Sequence, residues 1–340
     1  MPEQQTARQQ QLQEIENGLF TEPVVARSRC VALLDEARQG SDFQIFIQAA
    51  LLFSKIEDQL ADLPTALKTL EEALVYAQEF HWAEFEAAIF EQMGCCHYSL
   101  AQYDLALQDW RECILLCGHA AATYTRALAF IGLGRLCDLA EQYQQAVAMH
   151  QHAHKLLLPS EDFYAITMAM INWAVNLQRL QRWDDAAELL QQALALSEHH
   201  QLPHHAAECH LRLAQVAIAQ ARWLEAEHCL EEGLSVVAQT PYHWVEANLL
   251  FEWAQLLQNQ QALEQALDVL KRGLLLTQED GFKTMELAFL RQAETLCLAL
   301  GWHLQASEFE RQANFLHFDS VDTHSLAQRL HLQELDALLR

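Results

Sequence analysis

Seventeen histidines are the first side chains in this 340-residue sequence that suggest chemistry. His150 and His154 are one helical turn apart, and four more histidines crowd residues 199–205. A zinc site needs three or four converging ligands with a supporting second shell, and this spacing does not define one. Surface histidine in a lysine-poor protein is the favoured interpretation, so we predict no metal site.

Nine cysteines offer a second chemistry. Cys113 and Cys117 are one turn apart, and Cys95, Cys96 and Cys137 belong to helices expected to pack beside them. Convergence on a thiol site is one interpretation. We favour packing, because cysteine is small and commonly buried. The odd count and irregular spacing do not suggest a disulfide framework, so we predict a reduced, cytoplasmic protein.

Catalytic motifs are not apparent: the sequence shows no phosphate-binding loop, nucleophile elbow, zinc-protease helix or dinucleotide fingerprint. Lys plus Arg is 21 and Asp plus Glu is 46, which gives a net charge of −25. Such a chain repels phosphate backbones and anionic lipids. No stretch is long and apolar enough to span a bilayer. We predict no enzyme activity, no cofactor, no nucleic-acid partner and no membrane partner.

The elements that carry these residues follow from an internal repeat. With only 10 Gly and 6 Pro, the sequence favours long helices. Alanine recurs every forty residues, at Ala26, Ala66, Ala106, Ala146, Ala186, Ala226, Ala266 and Ala306. Small residues recur at the same period twelve positions earlier, at Ser54, Gly94, Gly134, Ala174, Ala214 and Ala254. Large side chains form a further column: Leu70, Trp110, Leu190, Leu230 and Leu270. We predict pairs of antiparallel helices whose stacking completes the core.

This pattern resembles the tetratricopeptide repeat. The family has an aromatic residue, alanine three residues on and a second small residue seven beyond that. Matching sets include Tyr103/Ala106/Cys113, Tyr143/Ala146/Ala153, Trp183/Ala186/Ala193 and Trp223/Ala226/Gly233. The forty-residue period departs from the usual thirty-four and is similar to kinesin light chain, Rap-type phosphatase regulators and the effector domain of the bacterial maltose activator. The resemblance implies an all-α, right-handed solenoid.

Residues 1–318 are expected to form one continuous solenoid. Its pairs should cover roughly 3–40, 41–81, 82–120, 121–160, 161–201, 202–240, 241–281 and 282–318. Pro159, Pro203 and Pro241 fall in the gaps, where helices must stop. Residues 319–340 carry six leucines and predict a capping or connector helix. A cap over the last pair and a dimerisation helix both remain open, so a homodimer through this helix is one alternative.

In tetratricopeptide arrays the first helices line the concave face, and the resemblance implies a partner-binding groove there. Its apolar middle is expected at Ile131, Ile171, Leu211 and Phe251. The polar residues beside it are Arg135, Gln178, Arg179, Arg212, Gln215, Asn248 and Gln255. Apolar anchors with arginines for acidic groups suit a peptide or helix. The alternative is that a tight superhelix buries the apolar residues itself.

Two functions therefore compete. The first is a scaffold that binds a partner peptide or domain in the groove. The second is the sensory or regulatory region of a bacterial signalling protein, because residues 15–30 and 308–316 look like the flanks of such repeats beside a diguanylate cyclase or histidine kinase output. Its output domain would then be missing from these residues or act in trans. A transcription regulator of the maltose-activator type would need a helix-turn-helix, and none is apparent.

Overall fold

The computed structural model describes residues 2–19, 22–60, 62–118, 123–238, 240, 243–316, 326–327 and 329–339, without the side chains of residues 2–6 and 333. Sixteen α-helices lie in these residues. They are α1 (Pro2–Gly18), α2 (Pro23–Gln39), α3 (Phe43–Gln59), α4 (Leu63–Glu79), α5 (Ala83–Ser99), α6 (Tyr103–Cys117), α7 (Thr123–Leu139), α8 (Tyr143–Leu157), α9 (Phe163–Arg179), α10 (Trp183–His199), α11 (Pro203–Ala219), α12 (Trp223–Val237), α13 (His243–Asn259), α14 (Leu263–Glu279), α15 (Lys283–Ala299) and α16 (His303–Phe315). Two 3₁₀ helices span Leu158–Ser160 and Leu332–Leu339.

Successive helices form antiparallel pairs, so the predicted all-α solenoid of stacked pairs is confirmed. The chain divides into unit 1, residues 1–160 with 323–340, and unit 2, residues 161–322. In unit 1 the first helices of the pairs, α1, α3, α5 and α7, pack against one another in chain order. In unit 2, α11 packs in the same way against α9 and α13. We call these rows the first-helix layers.

One turn geometry recurs at intervals of twenty residues. Residues in the left-handed region stand at 41, 81, 101, 141, 161, 181, 201, 221, 261, 281 and 301, and only the last two are glycines. The amide after each such residue commonly bonds the carbonyl five residues back, as in Gln102 to His97 at 2.8 Å and Arg182 to Leu177 at 2.9 Å. These bonds satisfy carbonyls that a helix end would otherwise leave unpaired. Among the described residues, this turn occurs both within pairs, as at Ala101, and between pairs, as at His81.

The prolines begin helices more often than they separate them. Pro203 is the first residue of α11 and Pro23 the first of α2, positions where the missing amide hydrogen costs nothing. Pro159 lies in the first 3₁₀ helix. Pro241 lies outside the described residues.

The small and large columns interlock as predicted. Ala106, Ala146 and Ala186 are fully buried. A Cβ built on Gly94 would lie 2.5 Å from Nε1 of Trp110, so the indole occupies the space that a side chain there would need. Because Cβ atoms do not approach so closely, glycine is required at this contact.

His150 corrects the prediction that the histidines lie on the surface. It is fully buried, and its ring packs on Gly134 as Trp110 packs on Gly94. His150 is buried because it occupies the repeat position that Leu70, Trp110 and Leu190 occupy in other pairs, at a spacing of forty residues. His205 is also buried, at 6% exposure.

The C-terminal segment, residues 326–339, belongs to unit 1. Residues 332–339 form the second 3₁₀ helix, within the stretch predicted as a capping or connector helix. The described polar contacts of the segment are with α6 and α8.

Candidate functional site

The four apolar positions predicted for a groove divide into two kinds. Ile131 of unit 1 and Ile171 and Leu211 of unit 2 are at most 3% exposed. They therefore stabilise the core, and a partner reaches their side chains only if helices separate. Phe251 is half-buried, with its ring 5.1 Å from that of Phe289. The alternative of self-burial fits the first three.

The predicted polar residues of unit 2 form a connected strip across its first-helix layer. Gln178 of α9 donates to the backbone oxygen of Arg212 on α11 at 2.8 Å. Arg212 donates to Gln215 at 3.2 Å and to Glu208 at 3.1 Å. Gln215 donates in turn to Glu252 of α13 at 2.8 Å. These bonds hold three helices together by side chains that remain partly exposed.

The strip continues along α13 with aromatic character. The Arg212 guanidinium lies 5.9 Å from the Trp244 ring centroid, and that indole is 40% exposed. Asn248 donates to the Trp244 carbonyl at 2.8 Å and contacts Met285 Sδ of α15 at 3.4 Å. We define Gln178, Arg212, Gln215, Trp244, Asn248 and Glu252 as the polar strip.

Two predicted residues lie beside the strip without joining its hydrogen bonds. Arg179 is exposed at the end of α9 and forms no hydrogen bond or ion pair within the described residues. Gln255 is half-buried on α13, one turn from Phe251. Arg179 is therefore the free cation of this group.

Arg135 belongs to unit 1, where it makes a separate cluster. Its guanidinium lies 4.5 Å from the Tyr98 ring centroid. Glu91 is 5% exposed, accepts from Gln92 at 2.6 Å, and accepts from the Cys95 thiol at 3.3 Å. Burial raises the pKa of Glu91, while Gln92 and Cys95 oppose the shift. This cluster is a buried carboxyl with an exposed arginine near it.

Burial also raises the pKa of Glu252, and the bond from Gln215 and the charge of Arg212 oppose it. The Glu252 carboxyl accepts from Gln215 and keeps further acceptor capacity. With carboxamides and a guanidinium beside it, the strip presents both donors and acceptors. That combination suits the alternating amide and carbonyl groups of a peptide backbone.

Sequence reasoning missed Glu208, Glu252 and Trp244. Glu208 stands four residues before Arg212, a spacing that pairs charges on a helix. Glu252 lies forty residues after Arg212, in the same column of the repeat. Comparison along that column would therefore have predicted it. Trp244 lies outside the columns we compared, and the sequence carried no signal for its contact with Arg212.

The cysteines pack, as predicted. Cys96, Cys113, Cys117 and Cys137 are buried, and all nine cysteines of the chain are free thiols. Burial raises the pKa of Cys96 and Cys137 to about 12, which keeps both protonated and unreactive. Within the described ranges, no three His, Cys, Asp or Glu side chains come together as a metal ion would require.

Among the helices that the structure describes, none has both the length and the apolar character to cross a membrane.

The family model of the tetratricopeptide repeat matches residues 165–239, which covers α9 to α12. No curated protein matches the chain significantly.

Solved structures share the fold at low sequence identity. A Rap protein complexed with competence and sporulation factor is 11% identical, with a TM-score of 0.64 over 98% of this chain and 99% of that one. Aspartyl phosphate phosphatase F from Bacillus subtilis is 13% identical, with a TM-score of 0.58 over 86% and 75%. A signal-transduction ATPase from Pyrococcus horikoshii with a tetratricopeptide repeat sensor is 12% identical, with a TM-score of 0.65 over 96% of this chain and 49% of that protein.

The matched residues lie in the middle of the chain, and the same forty-residue helix pair recurs on both sides of them. Residues 165–239 are therefore similar to the tetratricopeptide repeat, and they lie within a longer array of like helix pairs.

Proposed function

We propose that the chain is a non-catalytic interaction scaffold and that the polar strip of unit 2 binds a peptide or an extended segment of a partner protein. The observation that carries this proposal is the hydrogen-bonded order of the strip. Gln178, Arg212 and Gln215 are held by bonds between α9, α11 and α13, so little side-chain entropy is lost when a ligand binds. Arg179 supplies a free cation for an acidic group of that ligand.

The experiment is selection of binding peptides from a random display library with the full chain as bait. We expect Arg212→Ala/Gln215→Ala to weaken a selected peptide at least about tenfold, since two side-chain contacts are removed. Arg222→Ala/Gln220→Ala is the matched control, because Arg222 also pairs with a carboxylate and a glutamine, but at an exposed turn.

Peptides that bind both double variants equally well would place the binding surface elsewhere and overturn the proposal. Circular dichroism and thermal melting of both variants check that each keeps its fold. Arg179→Ala tests the electrostatic part, and we expect it to weaken acidic peptides more than neutral ones.

A sensory role is the second proposal. It is favoured by the likeness to the sensor-bearing ATPase and to the Rap protein in complex with its factor. In that case ligand binding changes an output domain, and the gene sequence beyond Arg340 together with its neighbours would identify that domain. The acidic charge of −25 supports a partner other than nucleic acid, and nine free thiols support a reducing, cytoplasmic location.

A further inference from the structure

The C-terminal segment is seated on α6 and α8 of unit 1 almost two hundred residues away in sequence. Its four inward leucines, Leu326, Leu330, Leu332 and Leu335, are at most 4% exposed. Gln145 of α8 donates to the backbone oxygen of Leu332 at 3.2 Å. The segment therefore has an apolar side that unit 1 covers.

Two ion pairs fix the direction of the segment. Arg329 lies 3.1 Å from Asp104, near the start of α6, and Glu334 lies 3.7 Å from Arg111, two turns further along α6. A segment that ran in the opposite direction would bring like charges together. The basic Arg329 therefore faces an acidic residue of α6, and the acidic Glu334 faces a basic one, so only one direction of the segment gives charge complementarity.

Asp104, Leu107 and Arg111 share one face of α6 by their helical spacing. Leu107 is 7% exposed, and Val147 of α8 has the same burial. Leu107 and Val147 therefore supply buried apolar side chains on the two helices that the segment contacts.

The polar bonds that hold the C-terminal segment on α6 and α8 are weak. Both ion pairs are more than 40% exposed on each side, and exposed ion pairs contribute little. Residues 332–339 form a 3₁₀ helix, whose hydrogen bonds are poorer than those of an α-helix. Four leucines supply most of the attachment.

We propose that the face of α6 formed by Asp104, Leu107 and Arg111, with Gln145 of α8, is a docking surface for a leucine-rich segment of a partner protein. The C-terminal segment occupies that surface in the free chain and imitates the partner. The partner segment carries leucines at the spacing of residues 326, 330, 332 and 335, with a base at 329 and an acid at 334.

The test uses the full chain and a fluorescent pattern peptide that keeps these six residues and replaces the others by alanine or glutamine. Leu330→Asp/Leu335→Asp releases the chain's own segment and leaves the docking surface intact. We expect this variant to bind the peptide at least tenfold more tightly than the unaltered chain by fluorescence anisotropy. Arg111→Glu in that background should weaken binding several-fold, and a peptide with arginine at the acidic position should recover that loss.

Absence of binding to the released variant, or failure of the charge exchange to restore it, would overturn the proposal. If the double variant does not fold, Arg329→Asp/Glu334→Arg places like charges together and should speed hydrogen exchange of residues 326–339, and adding Asp104→Arg/Arg111→Glu should slow that exchange again. A chain that is dimeric in sedimentation and becomes monomeric with the peptide would assign the surface to a second copy and overturn the partner assignment.

Discussion

Units 1 and 2 fill the same helix-pair register with side chains of different size. In unit 1, Trp110 and His150 lie against glycines, at Gly94 and Gly134. In unit 2, the equivalent columns contain Leu190 with Ala174 and Leu230 with Ala214. A ring that fills this space excludes a side chain on the facing residue, as close packing demands.

The buried histidine of unit 1 lacks a hydrogen bond that the buried histidine of unit 2 has. Neither ring nitrogen of His150 has a hydrogen-bond partner among the described residues. Buried His205 of unit 2 has one, because its Nδ1 lies 2.6 Å from the Thr167 hydroxyl. An unpaired buried polar atom destabilises the folded state, so the two histidines should differ in what their removal does.

The largest expected effect is on the acid stability of unit 1. Burial, and secondarily the charge of Arg135, lowers the pKa of His150 to about 3. Its unfolded pKa is about 6.5. Since the folded value is the lower one, the contribution to stability is complete above pH 6.5 and is lost as the pH falls towards 3. The loss at pH 4 is about 3 kcal/mol.

His150→Leu should remove this loss, so the free energy of unfolding measured in urea should fall less between pH 7 and pH 4 than in the unaltered chain. Parallel pH profiles would contradict the buried, neutral state of His150. His205→Leu is the matched comparison at pH 7. Burial also lowers the pKa of His205 to about 3, so both variants should change the pH profile in the same direction. At pH 7, His150→Leu should be the more stable variant by about 1 kcal/mol, because only His205→Leu gives up a hydrogen bond.

Converting the pairing of unit 1 into that of unit 2 is the next test. Gly94→Ala should destabilise the chain by about 1–3 kcal/mol, because the new Cβ overlaps the Trp110 indole. Adding Trp110→Leu should recover part of that loss, since alanine against leucine is the combination found at Ala174 and Leu190. Denaturant unfolding of both single variants and the double variant measures the coupling. Strictly additive losses would show that the two positions do not share one space.

Gly18→Ala is the control for this series. The nearest atom to a Cβ there, the Ala26 Cβ, would be 3.7 Å away, an ordinary contact. No loss of stability is expected at that position.

The reverse test enlarges a small residue in unit 2. Ala186 is fully buried in the alanine column, and Ala186→Leu should overpack its helix pair at a cost of about 1–3 kcal/mol. Thermal melting checks this, and an unchanged melting temperature would disprove the register.

The smallest effect is expected at the turns, where the two units do not differ. Ala101 and Ala221 occupy the left-handed region at φ 58° and 56°. That conformation strains an L-residue, so Ala101→Gly and Ala221→Gly should each raise stability by up to about 1 kcal/mol, after the entropy cost of glycine. Gly301→Ala, at φ 76°, should do the opposite. Unequal gains in the two units would show that the turns are not equivalent.

The fold could be predicted from the sequence because one period governs every helix. Ala66, Ala106 and Ala146 identified the pairs, and their full burial follows from that register. The polar strip was predicted as separate residues, Gln178, Arg212 and Gln215, because their column positions place them in one layer.

What the sequence could not supply were relations outside the period. Ile131, Ile171 and Leu211 were expected in a groove, but column position alone does not distinguish an inner surface from a core. The packing of the C-terminal segment on α6 and α8 could not be predicted. Its contacts join residues nearly two hundred positions apart and depend on the charges of Asp104 and Arg111. Trp244 belongs to none of the columns compared, so its contact with the Arg212 guanidinium could not be predicted.

The uniform turn has a consequence for how such a chain can change length. Because the same left-handed turn recurs at the described positions spaced by multiples of twenty residues, an insertion or deletion of forty residues adds or removes one whole pair and leaves every later side chain in its role. A change of twenty residues keeps the turns but exchanges the roles of first and second helices in all that follows. Gene duplication and recombination would thus lengthen or shorten this protein in steps of one pair, and other steps would be eliminated by misfolding.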